Sequence, residues 1–236
     1  MPGDFTVLEL VQNGSMSAGM ASVLWSAMDD RRSFIVAAGP RQAGKSTTTE
    51  AILDFLPASV PRYDLTGDRA QMDALAASPD GGYLVVPEFS DHTPWYLRGE
   101  QVVQVFDTAD RGFSIAGTLH ADTPEDTFAE LRSHGPITDS QLERIACLVF
   151  LGVRGYPDNP VRWVSSLWQV DGVARGEPRG RLLCRYDAAA ARFVWEYSAV
   201  GLSASEALRE ERAARIQSLA DAGRTSRADF ADLLTA

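Results

Sequence analysis

The sequence predicts an α/β fold: a mostly parallel sheet flanked by helices, with an antiparallel β extension and C-terminal helices. Three observations carry this. Short apolar runs alternate with stretches of helical periodicity up to about Leu142, one strand–helix junction holds a complete phosphate-loop motif, and after Leu142 the chain turns to successive extended stretches.

The alternation runs as follows. Met16 to Met28 sets Met20, Val23, Leu24 and Met28 at helical spacing, and Asp29–Arg32 breaks the pattern. Ser33 to Ala38 is a short apolar run ended by Gly39-Pro40, the mark of a buried strand. Lys45 to Leu56 reads as a helix stopped by Pro57. Pro61 to Leu65 is a weaker strand, Asp68 to Ala77 a helix, Gly82 to Val86 a buried strand, Pro94 to Asp110 a helix and Phe113 to Thr118 a strand. Thr123-Pro124-Glu125-Asp126 opens a helix reaching about Arg132: Thr caps, Pro suits the first turn, and the acids suit the positive helix end.

Ile145 to Val153, Val161 to Val170, Gly180 to Tyr186 and Arg192 to Tyr197 are all extended, with turns expected at Gly172–Gly180 and Asp187–Ala191. They are read as an extension of the sheet rather than a separate domain. Ser203-x-x-Glu206 forms a capping box for a helix whose face is Leu208, Arg212, Ile216, Leu219 and Ala220; Gly223 ends it, and Ser226 to Leu234 is a last short helix. The expected organisation is a core over 1–155, a β-hairpin extension over 156–200 and a helical segment over 201–236.

Composition bounds the function. With 236 residues, 45% hydrophobic and 23% charged, the chain is an ordinary globular one rather than disordered or fibrous. The net charge of −10 and the lack of any Lys/Arg run leave nucleic acid unexpected as a partner. The longest apolar runs, Leu84 to Val86 and Ala146 to Val153, are too short to cross a bilayer, and Met1–Leu10 has no secretory pattern. Cys147 and Cys184 stand far apart, and no Cys or His cluster has zinc spacing. A cytoplasmic protein without membrane insertion is expected.

The strongest signal is Gly39-Pro40-Arg41-Gln42-Ala43-Gly44-Lys45-Ser46, followed by Thr47, which satisfies the Walker A pattern G-x-x-x-x-G-K-[ST] between a buried strand and a helix. The glycines let the backbone curl until successive N–H groups point at phosphate oxygens, and the start of the following helix adds to the field. Lys45 reaches the β- and γ-phosphates, and Ser46 is the Mg²⁺ ligand. A nucleoside triphosphate with Mg²⁺ is therefore the expected ligand, ATP and GTP both fitting the loop. Hydrolysis needs an acid on a second strand. Glu88, after Tyr83-Leu-Val-Val-Pro87, stands at the carboxyl end of such a strand, to orient or deprotonate water, although Pro87 occupies the place where an Asp is usual. Thr118-Leu119-His120 ends the next strand, where a hydroxyl and an imidazole can meet a γ-phosphate or the water.

The order of phosphate loop, VVPEFSD, helix and RGFSIAGTLHADTPEDTFAEL resembles the type II/type IV secretion ATPase superfamily, the motors of type IV pili, secretion systems and archaeal flagella. The likeness spans about Met16 to Tyr197. It implies a RecA-like phosphate-loop NTPase core that hydrolyses ATP. Pro87-Glu88-Phe89-Ser90-Asp91 stands at the family's irregular second acidic motif, and Thr118-Leu119-His120 at its histidine box, where Thr118 and His120 are implied to sense the γ-phosphate. Asp64, after Arg62-Tyr63, is the best match to the family's acidic box and so a second Mg²⁺-side residue, while Asp68 reads as a turn former. The resemblance also implies a homo-oligomer, a hexamer in the family, working with pilus or secretion components at the inner membrane surface, with Arg98, Arg111 and Arg132 as arginine-finger candidates.

The chain departs from the pattern in three ways. About fifteen residues precede the first core helix, where the family carries a substantial domain, so a partner supplying that domain is one expectation. Ser90 replaces an arginine, and Gly112-Phe113 replaces a glycine-histidine pair. A nucleotide-binding regulator or scaffold with little hydrolysis is the alternative reading. A phosphate-loop kinase comes third, with Arg175–Arg181 as a lid.

Overall fold

The structure is a computed structural model and describes residues 5–78, 81–155 and 157–235. Its elements are α1 (Val7–Gln12), α2 (Ala18–Asp29), β1 (Ser33–Ala37), α3 (Lys45–Leu53), β2 (Arg62–Asp64), α4 (Arg69–Ala77), β3 (Gly82–Phe89), α5 (Glu100–Ala109), β4 (Phe113–Leu119), α6 (Pro124–Ser133), α7 (Asp139–Leu142), β5 (Ile145–Arg154), β6 (Val161–Ala174), β7 (Glu177–Asp187), β8 (Arg192–Trp195), α8 (Glu206–Asp221) and α9 (Arg227–Thr235). The strands form one sheet in the order β2-β3-β4-β1-β5-β6-β7-β8. From β2 to β5 every pairing is parallel, and from β5 to β8 every pairing is antiparallel. The α/β fold with a parallel core and an antiparallel extension is thus the fold of the chain.

The two-residue period of the strands divides the core. Phe34 and Val36, with Tyr83, Val85 and Ala116, face a cluster completed by α1, α2, α3, α8 and α9. Ile35 and Ala37, with Leu84, Val86 and Ile115, face a second cluster built with α4, α5, α6 and α7. Strands β1 and β4 are buried along their whole length, as continuous apolar runs in a doubly covered parallel sheet should be. Across the strand ends, the Tyr83 hydroxyl donates to the Arg32 carbonyl at 2.8 Å and the Ser114 hydroxyl to the Arg31 carbonyl at 2.6 Å.

Several elements differ from expectation for identifiable reasons. The segment 94–99 belongs to a loop rather than to the start of a helix: Leu97 N–H donates to the Glu88 carbonyl at 3.0 Å and Ser90 N–H to the Leu97 carbonyl at 3.0 Å, so Leu97 lies alongside Phe89 and α5 begins only at Glu100. Gly172 and Gly180 lie inside strands. Gly172 follows a register shift, and a methyl on Gly180 would sit 2.1 Å from the Gln169 carbonyl oxygen, so here the glycines mark irregularity and close approach rather than a turn. The turn between β6 and β7 is Arg175-Gly176, both at positive φ (58° and 81°), with both N–H groups donating to Asp139 at 2.8 Å.

The cap of α8 is Ser205, which accepts from Leu208 N–H at 3.2 Å. Ser203 instead donates its N–H to Asp30, so the Ser203 capping box does not form. Ile216 and Ala220 of that helix are buried, whereas Leu208 is exposed. Helices α1 and α7, both capped by Thr in capping boxes, were not expected from periodicity because neither is long enough to show it.

Cys147 and Cys184 are buried free thiols, and burial pushes each thiol up to about 12. Neither is expected to react with a thiol-specific disulfide reagent at pH 8 in the native protein, and both are expected to react at once in denaturant. Stoichiometric labelling under native conditions would contradict the packing described here.

Candidate functional site

The strand order explains how distant motifs meet. β4 lies between β3 and β1, so its end falls between the phosphate loop after β1 and Glu88 at the end of β3. Lys45 Nζ stands 3.1 Å from Glu88 Oε2 and 3.1 Å from His120 Nε2, and His120 Nε2 is 3.3 Å from Glu88 Oε1. Side chains from three elements thus close one cluster. His120 Nδ1 lies 3.0 Å from the Ala38 carbonyl. A carbonyl only accepts, so the proton sits on Nδ1 and Nε2 is left to accept from Lys45. Burial lowers the Lys45 ammonium below the ordinary lysine range and Arg41 adds to this, while Glu88 pulls the other way.

The phosphate loop has the backbone its sequence requires. Gln42 and Gly44 both adopt positive φ, 59° and 96°, and Gly44 caps α3 without any side-chain hydrogen bond. The first turn of α3 is therefore open to a ligand rather than closed by its own cap. Arg41, Gln42, Ala43, Gly44, Lys45, Ser46 and Thr47 line a cavity of about 940 Å³, together with Glu88 and His120. Gly39 and Pro40 are exposed and do not line it. Gly39 N–H donates to Asp122 Oδ1 at 2.9 Å, and a side chain on Gly39 would collide with that carboxylate.

Two expected residues are placed elsewhere. Thr118 is buried and donates its hydroxyl to the Pro87 carbonyl at 2.6 Å, so it braces the end of β3 beside Glu88 and does not line the cavity. The reason lies in β3: Pro87 has no N–H to offer, and the register of β3 on β4 shifts between Val86 and Phe89. Asp64 is largely exposed and sits 2.8 Å from Arg62, which also grips Glu50 at 2.9 Å; it too is absent from the cavity wall. Asp68 caps α4. Among the described residues, no group of three or more His, Cys, Asp or Glu forms a metal cage, so Ser46 is the remaining sequence-nominated residue on the cavity wall for Mg²⁺.

Arg98, Arg111 and Arg132 do not line the cavity. Arg132 pairs with Asp139 at 3.2 Å. The basic stretch 175–181 is the β6–β7 turn and the start of β7, not a lid over the cavity.

The structure adds residues that the sequence did not single out. Arg162 of β6 donates Nε–H to the Gln42 carbonyl at 2.8 Å and reaches the cavity, bringing the antiparallel extension onto the phosphate loop. His92, Thr93 and Tyr96 come from the loop after Glu88; the His92 ring stacks on His120 at 6.2 Å, and the Thr93 hydroxyl oxygen is buried without a hydrogen-bond partner. Position in VVPEFSDHT is the only local signal for these residues, and Arg162 has none, because its contact depends on the pairing of β6 with β5.

Fold and site together define an α/β protein with a phosphate-loop strand–turn–helix and a part-buried Lys–Glu–His cluster at its mouth. No family model matches the chain, and no curated protein matches it. Among solved structures the chain is similar to the VirB11 ATPase from the Brucella suis type IV secretion system in complex with sulphate: TM-score 0.47, 17% identity, 63% of this chain and 51% of that one. It is similar to the ATPase DotB of Yersinia pseudotuberculosis: TM-score 0.43, 12% identity, 90% of this chain and 60% of that one. It is also similar to the pilus retraction motor PilT with bound ADP: TM-score 0.42, 16% identity, 89% of this chain and 59% of that one. The chain thus spans between half and three-fifths of the length of these structures. Among the described residues, no helix is long and apolar enough to cross a membrane.

Proposed function

We propose that the protein binds ATP with Mg²⁺ at residues 39–47 and hydrolyses it to ADP and phosphate. The single observation that carries this reading is the meeting of Lys45, Glu88 and His120 at the mouth of a phosphate loop, from three elements that only the strand order brings together. Lys45 neutralises the β- and γ-phosphates. Ser46 is the side chain that would hold Mg²⁺, whose chemistry is to neutralise charge on the phosphate oxygens. Glu88, released from Lys45 by the nucleotide, orients and deprotonates the attacking water. His120, fixed through Nδ1–H by the Ala38 carbonyl, accepts from Lys45 at Nε2 and so orients the ammonium toward the phosphates. Thr118 acts as a positioning residue for Glu88 through the Pro87 carbonyl. Such a reaction is mostly positioning and charge stabilisation.

The sequence resemblance extends the proposal to an oligomeric motor ATPase serving a secretion or pilus machine. A second reading, a nucleotide-gated regulator with little turnover, is favoured by one observation: the carboxylate that would activate water is paired with Lys45 at 3.1 Å.

The test is steady-state phosphate release from ATP and Mg²⁺ over a range of protein concentrations. Specific activity that rises with concentration supports an assembling ATPase. ATP binding without turnover at any concentration supports the regulator and sinks the motor.

A further inference from the structure

The cavity has two chemically different ends. One is the phosphate loop with its cationic Lys45, Arg41 and Arg162. The other is a wall of apolar side chains, Phe5, Leu10, Met16, Leu151, Val161 and Trp163, with Asn13 and Ser15 among them. Apart from Leu151 of β5, this wall comes from two places far apart in sequence, the segment around α1 and the start of β6, and they are joined directly: Val164 N–H donates to the Ser15 carbonyl at 2.7 Å. Ser15 is itself held by a tight turn in which its N–H donates to Asn13 Oδ1 at 2.9 Å, which leaves the Asn13 amide nitrogen as a donor. Phe5 and Val161 are 49% and 45% exposed, and both face this cavity. A large apolar side chain left half open to water at the mouth of a charged cavity suits a ligand that is anionic at one end and flat and apolar at the other.

On the reading that a nucleoside triphosphate occupies the phosphate loop, we infer that the base and ribose lie against the wall made by Phe5, Met16 and Val161, so that the segment before α2 is part of the nucleotide site. The triphosphate is held by charge and by backbone N–H groups. The base is held by apolar burial, with the Asn13 amide to donate to a ring nitrogen. Arg162 and Val161 are adjacent on β6, so one strand serves both ends of the ligand.

The experiment compares two probes, ATP and inorganic tripolyphosphate, by equilibrium titration on the full chain and on Phe5→Ala/Val161→Ser. Tripolyphosphate carries the anionic end alone. The native chain is expected to bind ATP at least about tenfold more tightly than tripolyphosphate. The double variant is expected to lose most of that margin while its tripolyphosphate affinity stays within about twofold. Val161→Ser alone, expected to lose part of the margin, replaces the double variant if the latter does not fold. Equal affinity of the native chain for the two probes, or a variant that keeps the full margin, overturns the base site and leaves the phosphate-loop reading standing. If neither probe binds the native chain, the phosphate-loop reading itself fails, and the base site with it.

Discussion

Glu88→Gln is expected to slow ATP hydrolysis by about 10²–10⁴-fold while binding ATP about fivefold more tightly than the native chain. The two halves of this result have one cause. Glu88 and Lys45 stand 3.1 Å apart with side chains only 9% and 10% exposed, so an incoming phosphate competes with a buried carboxylate for the same ammonium. Gln keeps the shape and removes the charge: the competition weakens, and the base that deprotonates water is lost. Phosphate release and equilibrium titration on the same preparation check both halves. A variant that turns over normally shows that Glu88 is not the general base. A variant that binds ATP more weakly shows that the Lys45–Glu88 pair preorganises the site instead of competing with the nucleotide.

Gly117→Ala should destabilise the fold by about 1–3 kcal/mol and reduce turnover more than ATP binding. A methyl at this position would lie 2.5 Å from Phe89 Cε2 and 3.2 Å from Ile35 Cδ1. Neither neighbour can yield, since both are fully buried and Phe89 also packs on Phe106 at 6.3 Å between ring centres. Phe89 follows Glu88 directly, so the strain falls on the carboxylate and leaves the phosphate loop in place. Urea denaturation of Gly117→Ala and of Gly117→Ala/Phe89→Leu separates the contributions. The second change opens space for the methyl and should recover part of the lost stability. A double variant whose loss equals the sum of the losses of Gly117→Ala and of Phe89→Leu alone would place the strain somewhere other than on the Phe89 ring.

What the sequence disclosed depended on range. The phosphate loop, the buried strands β1 and β4 and the location of Glu88 and His120 at strand ends are written in contiguous residues, and all are where the reading set them. Thr118 and Asp64 sit in the expected elements, yet their side chains do not face the cavity. For Thr118 the deciding partner is a carbonyl freed by a register shift two strand residues after Val85, which no periodicity reveals. For Asp64 it is the Arg62 guanidinium two residues back, bridging to Glu50. The stretch 94–99 reads as the start of a helix but is pulled alongside Phe89 by two backbone hydrogen bonds. Arg162, Asn13 and Phe5 reach the cavity only because β6 pairs with β5 and because the residues before α2 dock on β6, both long-range events.

Helix α1 is tied to the far end of the chain: the Thr6 hydroxyl donates to the Thr225 carbonyl at 2.8 Å, and the Gln12 amide donates to the Ala220 carbonyl at 3.4 Å. This has a consequence for synthesis. On the ribosome α1 emerges well before α8 and the turn after it, the elements that hold it. The phosphate loop and its strand are complete long before that moment. The wall carrying Phe5 and Leu10 is expected to be set only once α8 and the turn after it arrive, so a nascent chain should own its anion site before it owns the rest of the cavity.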